Sequence, residues 1–201
     1  MNELRPSSED EVIAAFLRAE IGSPRWSPTL RAMLARDRWA ARIFEHPNFA
    51  NPDENSYRRQ VLGEFRGWGR NRLLLRGFPS DFKWWLVSIS RDELAMIKYI
   101  NWPYWVEISG GTRLAKDAAR RIRAGLAEEH RASYEQLASR VKVGEALPEL
   151  IVVSGSGVTD PIVAVEGHAR LTGYLLAGDA LPNSIEIFLG RSPSIASWGL
   201  Y

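Results

Sequence analysis

The chain has 201 residues, 45% hydrophobic and 10% aromatic, enough to bury a core and too apolar for a disordered polypeptide. Its 26 Lys and Arg against 24 Asp and Glu leave a net charge of +2, far from a nucleic-acid-compacting polycation. Cysteine is absent, which excludes disulfides, thiolate catalysis, Cys-ligated zinc and iron–sulfur clusters. The opening Met1 to Pro6 lacks a basic and then apolar run, and the apolar runs Leu73 to Leu75 and Leu150 to Val153 fall far short of a bilayer span. A soluble, cytoplasmic protein with no membrane partner is the expectation.

Helices dominate the first part. Ser8 followed by Glu11 is a capping-box pattern, after which Ile13, Phe16, Leu17 and Ile21 share one helical face and Gly22 marks a stop. Ser27 and Pro28 open a second helix with Leu30, Met33 and Leu34 inside, carried as far as Ile43 and Phe44 and ended by Pro47. Asn48 to Ser56 reads as a loop, and Tyr57 to Phe65 as a third helix closed by Gly67 and Gly69. From Lys83, Trp85, Val87 and Ile89 alternate as in a strand. Ser90 with Glu93 caps another helix, carried through Leu94 and Ile97 to Tyr99 and Ile100, while Asn101 to Ile108, with its Trp-Pro-Tyr-Trp run, reads as extended. Ser109-Gly110-Gly111-Thr112 leads into a helix from Arg113 to Ala124, and a further helix covers Ser133 to Val143. Two β-branched strands, Leu150 to Val153 and Ile162 to Val165, precede a short helix from Arg170 to Ala177 and a strand from Ile185 to Leu189. The class is α+β, with a helical N-terminal extension over residues 1–80 and an α+β domain over 81–201.

The richest segment for chemistry is Glu166-Gly167-His168-Ala169-Arg170, which joins a buried strand to a helix. A glycine at such a turn permits close backbone approach, and the free amides of a helix start attract anions. Arg170 offers a planar fork for phosphate oxygens, His168 a proton or hydrogen bond near neutral pH, and Glu166 a carboxylate for base or orienting work. A solvated Arg and a satisfied His in an ordinary strand–helix turn would give the same pattern. Ser109-Gly110-Gly111-Thr112-Arg113 is a second small-residue loop before a helix, with Glu107 just ahead of it. It reads either as an anion site or as an ordinary N-cap turn. It lacks the Gly-Lys-Ser/Thr ending of a Walker loop. Arg66, Trp68, Arg70 and Arg72 interleave arginine with an aromatic, as single-stranded nucleic-acid surfaces do, or as a solvated helix face over a core does. His46 and His130 are isolated, without metal-ligand spacing.

The acidic-Gly-His-x-Arg turn, with the helix–Gly144–Pro148–strand lead-in before it, resembles the ParB/sulfiredoxin-like superfamily over about Trp84 to Leu189. The resemblance implies a small mixed sheet with helices and a nucleotide-phosphate pocket. In it, Gly167, His168 and Arg170 hold one side of an ATP- or CTP-like ligand, and Thr112 and Arg113 hold the other. It further implies magnesium bridging the phosphates, with Glu166, His168 and Glu107 as candidates for catalysis of hydrolysis or phosphoryl transfer. Sulfiredoxins carry a cysteine where this chain has His168, so sulfinic-acid reduction is excluded. No helix-turn-helix follows before Tyr201, so centromere clamping is not expected. Two other classes remain: a DNA- or RNA-binding, nuclease-like protein using the arginine–aromatic stretch, and a non-catalytic partner protein that keeps the fold.

Overall fold

A computed structural model describes residues 1–201. It contains nine α-helices and one five-stranded mixed sheet of order β1-β2-β5-β3-β4. The strands are β1 (Asn2–Ser7), β2 (Lys83–Ser90), β3 (Leu150–Ser154), β4 (Val163–Glu166) and β5 (Ser184–Arg191). Only the β3–β5 pair is parallel; β1–β2, β2–β5 and β3–β4 are antiparallel.

Strands β3 and β4 and the second half of β5 are buried on both faces. Along β3, Ile151 and Val153 face one apolar cluster while Leu150 and Val152 face the other, and all four are inaccessible to water. Strand β5 does the same with Phe188 against Ile187 and Leu189, and β4 with Val163 and Val165 against Ala164. Two-sided burial explains why these strands read as continuous β-branched runs. Each such side chain contributes roughly 1.5–3 kcal/mol relative to exposure.

One face is covered by α1 (Glu9–Ile21), α2 (Ser27–Arg36), α3 (Arg42–Glu45) and α4 (Pro52–Arg66). Helix α1 begins at the Ser8–Glu11 capping box, complete in both directions, and buries Ile13, Phe16, Leu17 and Ile21 as its spacing requires. The opposite face carries α5 (Arg91–Ala95), α6 (Pro103–Ile108), α7 (Ala115–Arg123), α8 (Arg131–Lys142) and α9 (His168–Ala177). The N-terminal helices thus share one core with Ile151, Val153, Val165 and Phe188 of the sheet.

Five local readings change. The helix opened at Ser90 ends at Ala95 instead of Ile100, because the chain from Lys98 pairs with Leu114 and Val163. The segment before Ser8 is not part of a helical extension; it is an exposed strand, held by backbone pairing to β2 and carrying no buried apolar row that would announce it. The second expected helix breaks at Asp37, and α3 is a separate turn. The Asn48–Ser56 loop gives way at Pro52, where Asn51 accepts the Asp53 and Glu54 amides and starts α4. The Trp-Pro-Tyr-Trp run is helical, because Pro103 sits at the first helical position, where it loses no hydrogen bond. Trp102 alone is extended there, as the residue before a proline prefers.

Candidate functional site

Gly167 adopts φ +95° between β4 and α9, a conformation that disfavours any side chain. The glycine is also needed for packing. A Cβ at this position would lie 2.5 Å from Leu150 Cδ2 and 3.0 Å from Arg170 Nη2. Leu150 and Arg170 therefore fold over the bend and cover the approach that a phosphate was expected to use.

Arg170 points inward. Its Nη2 donates to Glu166 Oε1 at 3.0 Å and to the Glu149 carbonyl at 3.2 Å, and Arg18 pairs with the Glu149 carboxylate at 2.7 Å. The Arg170 and Glu166 side chains keep 11% and 14% of their surface, a narrow opening to solvent. From the other face of the sheet come Glu20 at the end of α1 and Arg66 at the end of α4, themselves paired. The Arg66 guanidinium also lies over the rings of Trp26 and Phe65, at 4.1 and 4.2 Å. Two carboxylates, two guanidiniums and His168 thus form one charged cluster at the edge strand β4.

Burial sets the protonation of this cluster. Glu20 is pushed up to about 7, first by loss of water and then by the Glu166 charge, against the pull of Arg66 and Arg170. His168 is pushed down to about 4 by burial, with the Arg170 and Arg66 charges adding to the effect and Glu166 and the Ala164 backbone opposing it. Part of the His168 residue still meets solvent, but its Nε2 is sealed. The imidazole stacks on Trp105, with centroids 5.0 Å apart and planes 18° apart, and tilts against Tyr99 at 6.0 Å. Tyr99 is tied to α9 through its hydroxyl and Thr172 Oγ1 at 2.7 Å, and Thr172 donates to the His168 carbonyl at 2.9 Å.

Three nitrogens of the cluster are buried without a partner: Arg66 Nε, Arg170 Nε and His168 Nε2. Buried polar atoms rarely stay unpaired, and each costs about 1–3 kcal/mol. Both guanidinium nitrogens are donors, so the unmet capacity suits an acceptor-rich group. A phosphate or carboxylate has that chemistry.

The second expected cradle is committed elsewhere. Arg113, itself at φ +61°, donates from Nε to Tyr99 O (2.9 Å), from Nη1 to Tyr201 O (2.6 Å) and from Nη2 to Leu200 O (3.2 Å). Thr112 Oγ1 donates to Asp117 at 2.7 Å and accepts the Leu114 amide at 3.1 Å, as a capping hydroxyl does. The Gly110 and Gly111 amides are taken by the Glu107 and Val106 carbonyls, and Glu107 is exposed. In this arrangement the loop acts as a bracket. Its Arg113 holds Tyr99, and its Ser109 hydroxyl donates to the Trp105 carbonyl at 2.7 Å, fixing the two rings that meet His168.

Two members of the arginine–aromatic stretch are committed to the fold. Trp68 is buried, donates to Glu9 at 2.8 Å and packs against Phe16, Phe78 and Trp84, so no base can stack on it. Arg66 is spent on Glu20. Arg70 and Arg72 remain exposed. No three His, Asp or Glu side chains converge as metal ligands, so the chain's own residues do not fit a directly held magnesium ion. Glu20 was not foreseen, and Arg66 was expected on a nucleic-acid surface and not in this pair; a Glu and an Arg ending two helices 46 residues apart carry no local signal of their pairing.

Compared with protein families, curated proteins and solved structures, the chain matches none. The likeness to the ParB/sulfiredoxin-like superfamily rests on the Glu166–Arg170 turn and its lead-in alone.

Proposed function

We propose that the protein binds a small phosphorylated ligand of the nucleotide class at the amino end of α9. The carrying observation is the pair of buried, unpartnered guanidinium donors, Arg66 Nε and Arg170 Nε, within one charged cluster. The helix start adds its own partial positive charge. In this reading Arg170 and Arg66 turn from their carboxylate partners toward the ligand's oxygens. Trp105, stacked on His168, flanks the entrance. Glu20, neutral for much of its population near pH 7, is the group able to exchange a proton with a bound phosphate. Hydrolysis or phosphoryl transfer is the reaction such an arrangement would assist, by charge stabilisation and positioning.

The test is a thermal-unfolding panel of the full chain with ATP, CTP, ADP and inorganic phosphate. Ligand at a hundred times its Kd stabilises the native state by about 2.7 kcal/mol. The expected result is a shift with at least one phosphate compound, lost in Arg170→Gln and in His168→Ala, both checked for native circular dichroism. No shift with any of the four, or a shift that survives in both variants, overturns the assignment. Release of phosphate from the stabilising nucleotide then separates turnover from binding alone.

A further inference from the structure

An open depression of about 430 Å³ lies between the segment 71–81 and the turn 194–197. Its walls include Asn71, Phe78, Ser80, Asp81, Ser194 and Ser197. The polar groups are organised from behind. Ser192, wholly buried, donates to one Asp81 carboxylate oxygen, and Ser194 Oγ donates to the other at 2.9 Å. Ser197 Oγ directs its proton to the Gly77 carbonyl at 2.9 Å or the Ser194 carbonyl at 2.8 Å. The Gly77 amide donates to Asn71 Oδ1 at 2.6 Å, and no hydrogen bond uses the Asn71 NH2. The Ser192, Ser194 and Ser197 protons are thus spent inward, leaving the lone pairs of Asp81, Ser194 and Ser197 for a ligand's donors and the Asn71 NH2 for its acceptors.

Charge narrows the class. Asp81 is the only ionised side chain in the lining, and the two hydroxyls hold its carboxyl below the usual carboxylate range. An anion would meet that charge directly. A cation would find a single carboxylate whose two oxygens already accept from the Ser192 and Ser194 hydroxyls. A neutral molecule rich in hydroxyls meets no repulsion and can use the remaining acceptors and the Asn71 NH2 together. Phe78 supplies an apolar flank, half-buried and fixed by Phe82 (4.7 Å) and the edge of Trp198 (5.0 Å).

We propose that this depression binds a neutral polyhydroxylated ligand, a sugar or the sugar portion of a glycoside. Asp81 accepts two of its hydroxyls, and Phe78 covers its C–H face. The site is separate from the α9 cluster and does not depend on it.

The test is a backbone amide NMR titration of the uniformly 15N-labelled full chain. The probes are methyl glucoside and myo-inositol, with spermidine and inorganic phosphate as charged comparators. Saturable shifts confined to Gly77, Phe78, Ser80, Asp81 and Ser194–Ser197 are expected from at least one polyol, with none at Gly167–Arg170. Asp81→Asn is expected to weaken binding about tenfold or more, through loss of a charged acceptor. Ser80→Trp, at an exposed position on the rim, is expected to abolish it with the remaining spectrum unchanged. The proposal is overturned if neither polyol gives a saturable shift, if spermidine or phosphate binds these amides more tightly, or if both variants bind like the parent chain.

Discussion

Glu20 and His168 titrate in opposite senses, and this makes the cluster testable without any ligand. Glu20 is raised from 4.5 to about 7 on folding, so its favourable contribution is complete below pH 4.5 and is lost as pH rises through 7. His168 is lowered from 6.5 to about 4, so its contribution is complete above pH 6.5 and is lost as pH falls through 4. Each displacement corresponds to about 3 kcal/mol over its full window. Between pH 4.5 and 6.5 the folded state has gained one proton at Glu20 and given one up at His168, so the two slopes cancel. Glu20→Gln removes one partner in this balance, and its stability relative to wild type is expected to fall by about 2.5 kcal/mol from pH 6.5 to pH 4. His168→Phe keeps the stack on Trp105 and removes the other partner. Its relative stability is expected to fall by a similar amount from pH 4.5 to pH 7. Urea unfolding at half-unit pH steps, read as differences from wild type, measures both. A Glu20→Gln difference curve that stays flat below pH 6.5 would refute the burial argument for the cluster.

Two further outcomes follow from the same geometry. Gly167→Ala places a Cβ against Leu150 at φ +95°, and a loss of about 1–3 kcal/mol in urea unfolding is expected; a neutral effect would mean the bend is looser than the packing indicates. Arg113→Ala releases the Tyr99, Leu200 and Tyr201 carbonyls. It should cost at least about 2 kcal/mol and speed amide exchange at Asn101, which donates to Leu200 O; Arg113→Lys, with one ammonium for three acceptors, should recover only part of this.

Local chemistry made much of the fold legible. Ser8 with Glu11 and Ser90 with Glu93 form capping boxes because both partners lie within one turn, and Gly67 and Gly144 close helices at positive φ. The runs at Leu150 and Ile162 reveal buried strands because both faces are dry. Strand β1 stayed hidden because it owes its conformation to pairing with residues some eighty positions away. At the site, the Glu166–Arg170 turn was visible as a strand–glycine–helix pattern. The direction in which Arg170 points was not, since it depends on Glu149 and on a helix layer from the opposite end of the chain. Arg113 misled for a related reason: a guanidinium beside small residues looks the same whether it awaits an oxyanion or already grips carbonyls.

The strand order also constrains assembly in time. Strand β1 pairs with β2, which in turn pairs with β5, beginning at Ser184. Until β5 and its neighbours exist, the apolar stripe of α1 has no complete surface to close upon, so the early half of the polypeptide must wait exposed. Long-range closure of this kind folds slowly. Truncated products ending before Ser184 are therefore expected to be sticky, chaperone-dependent species.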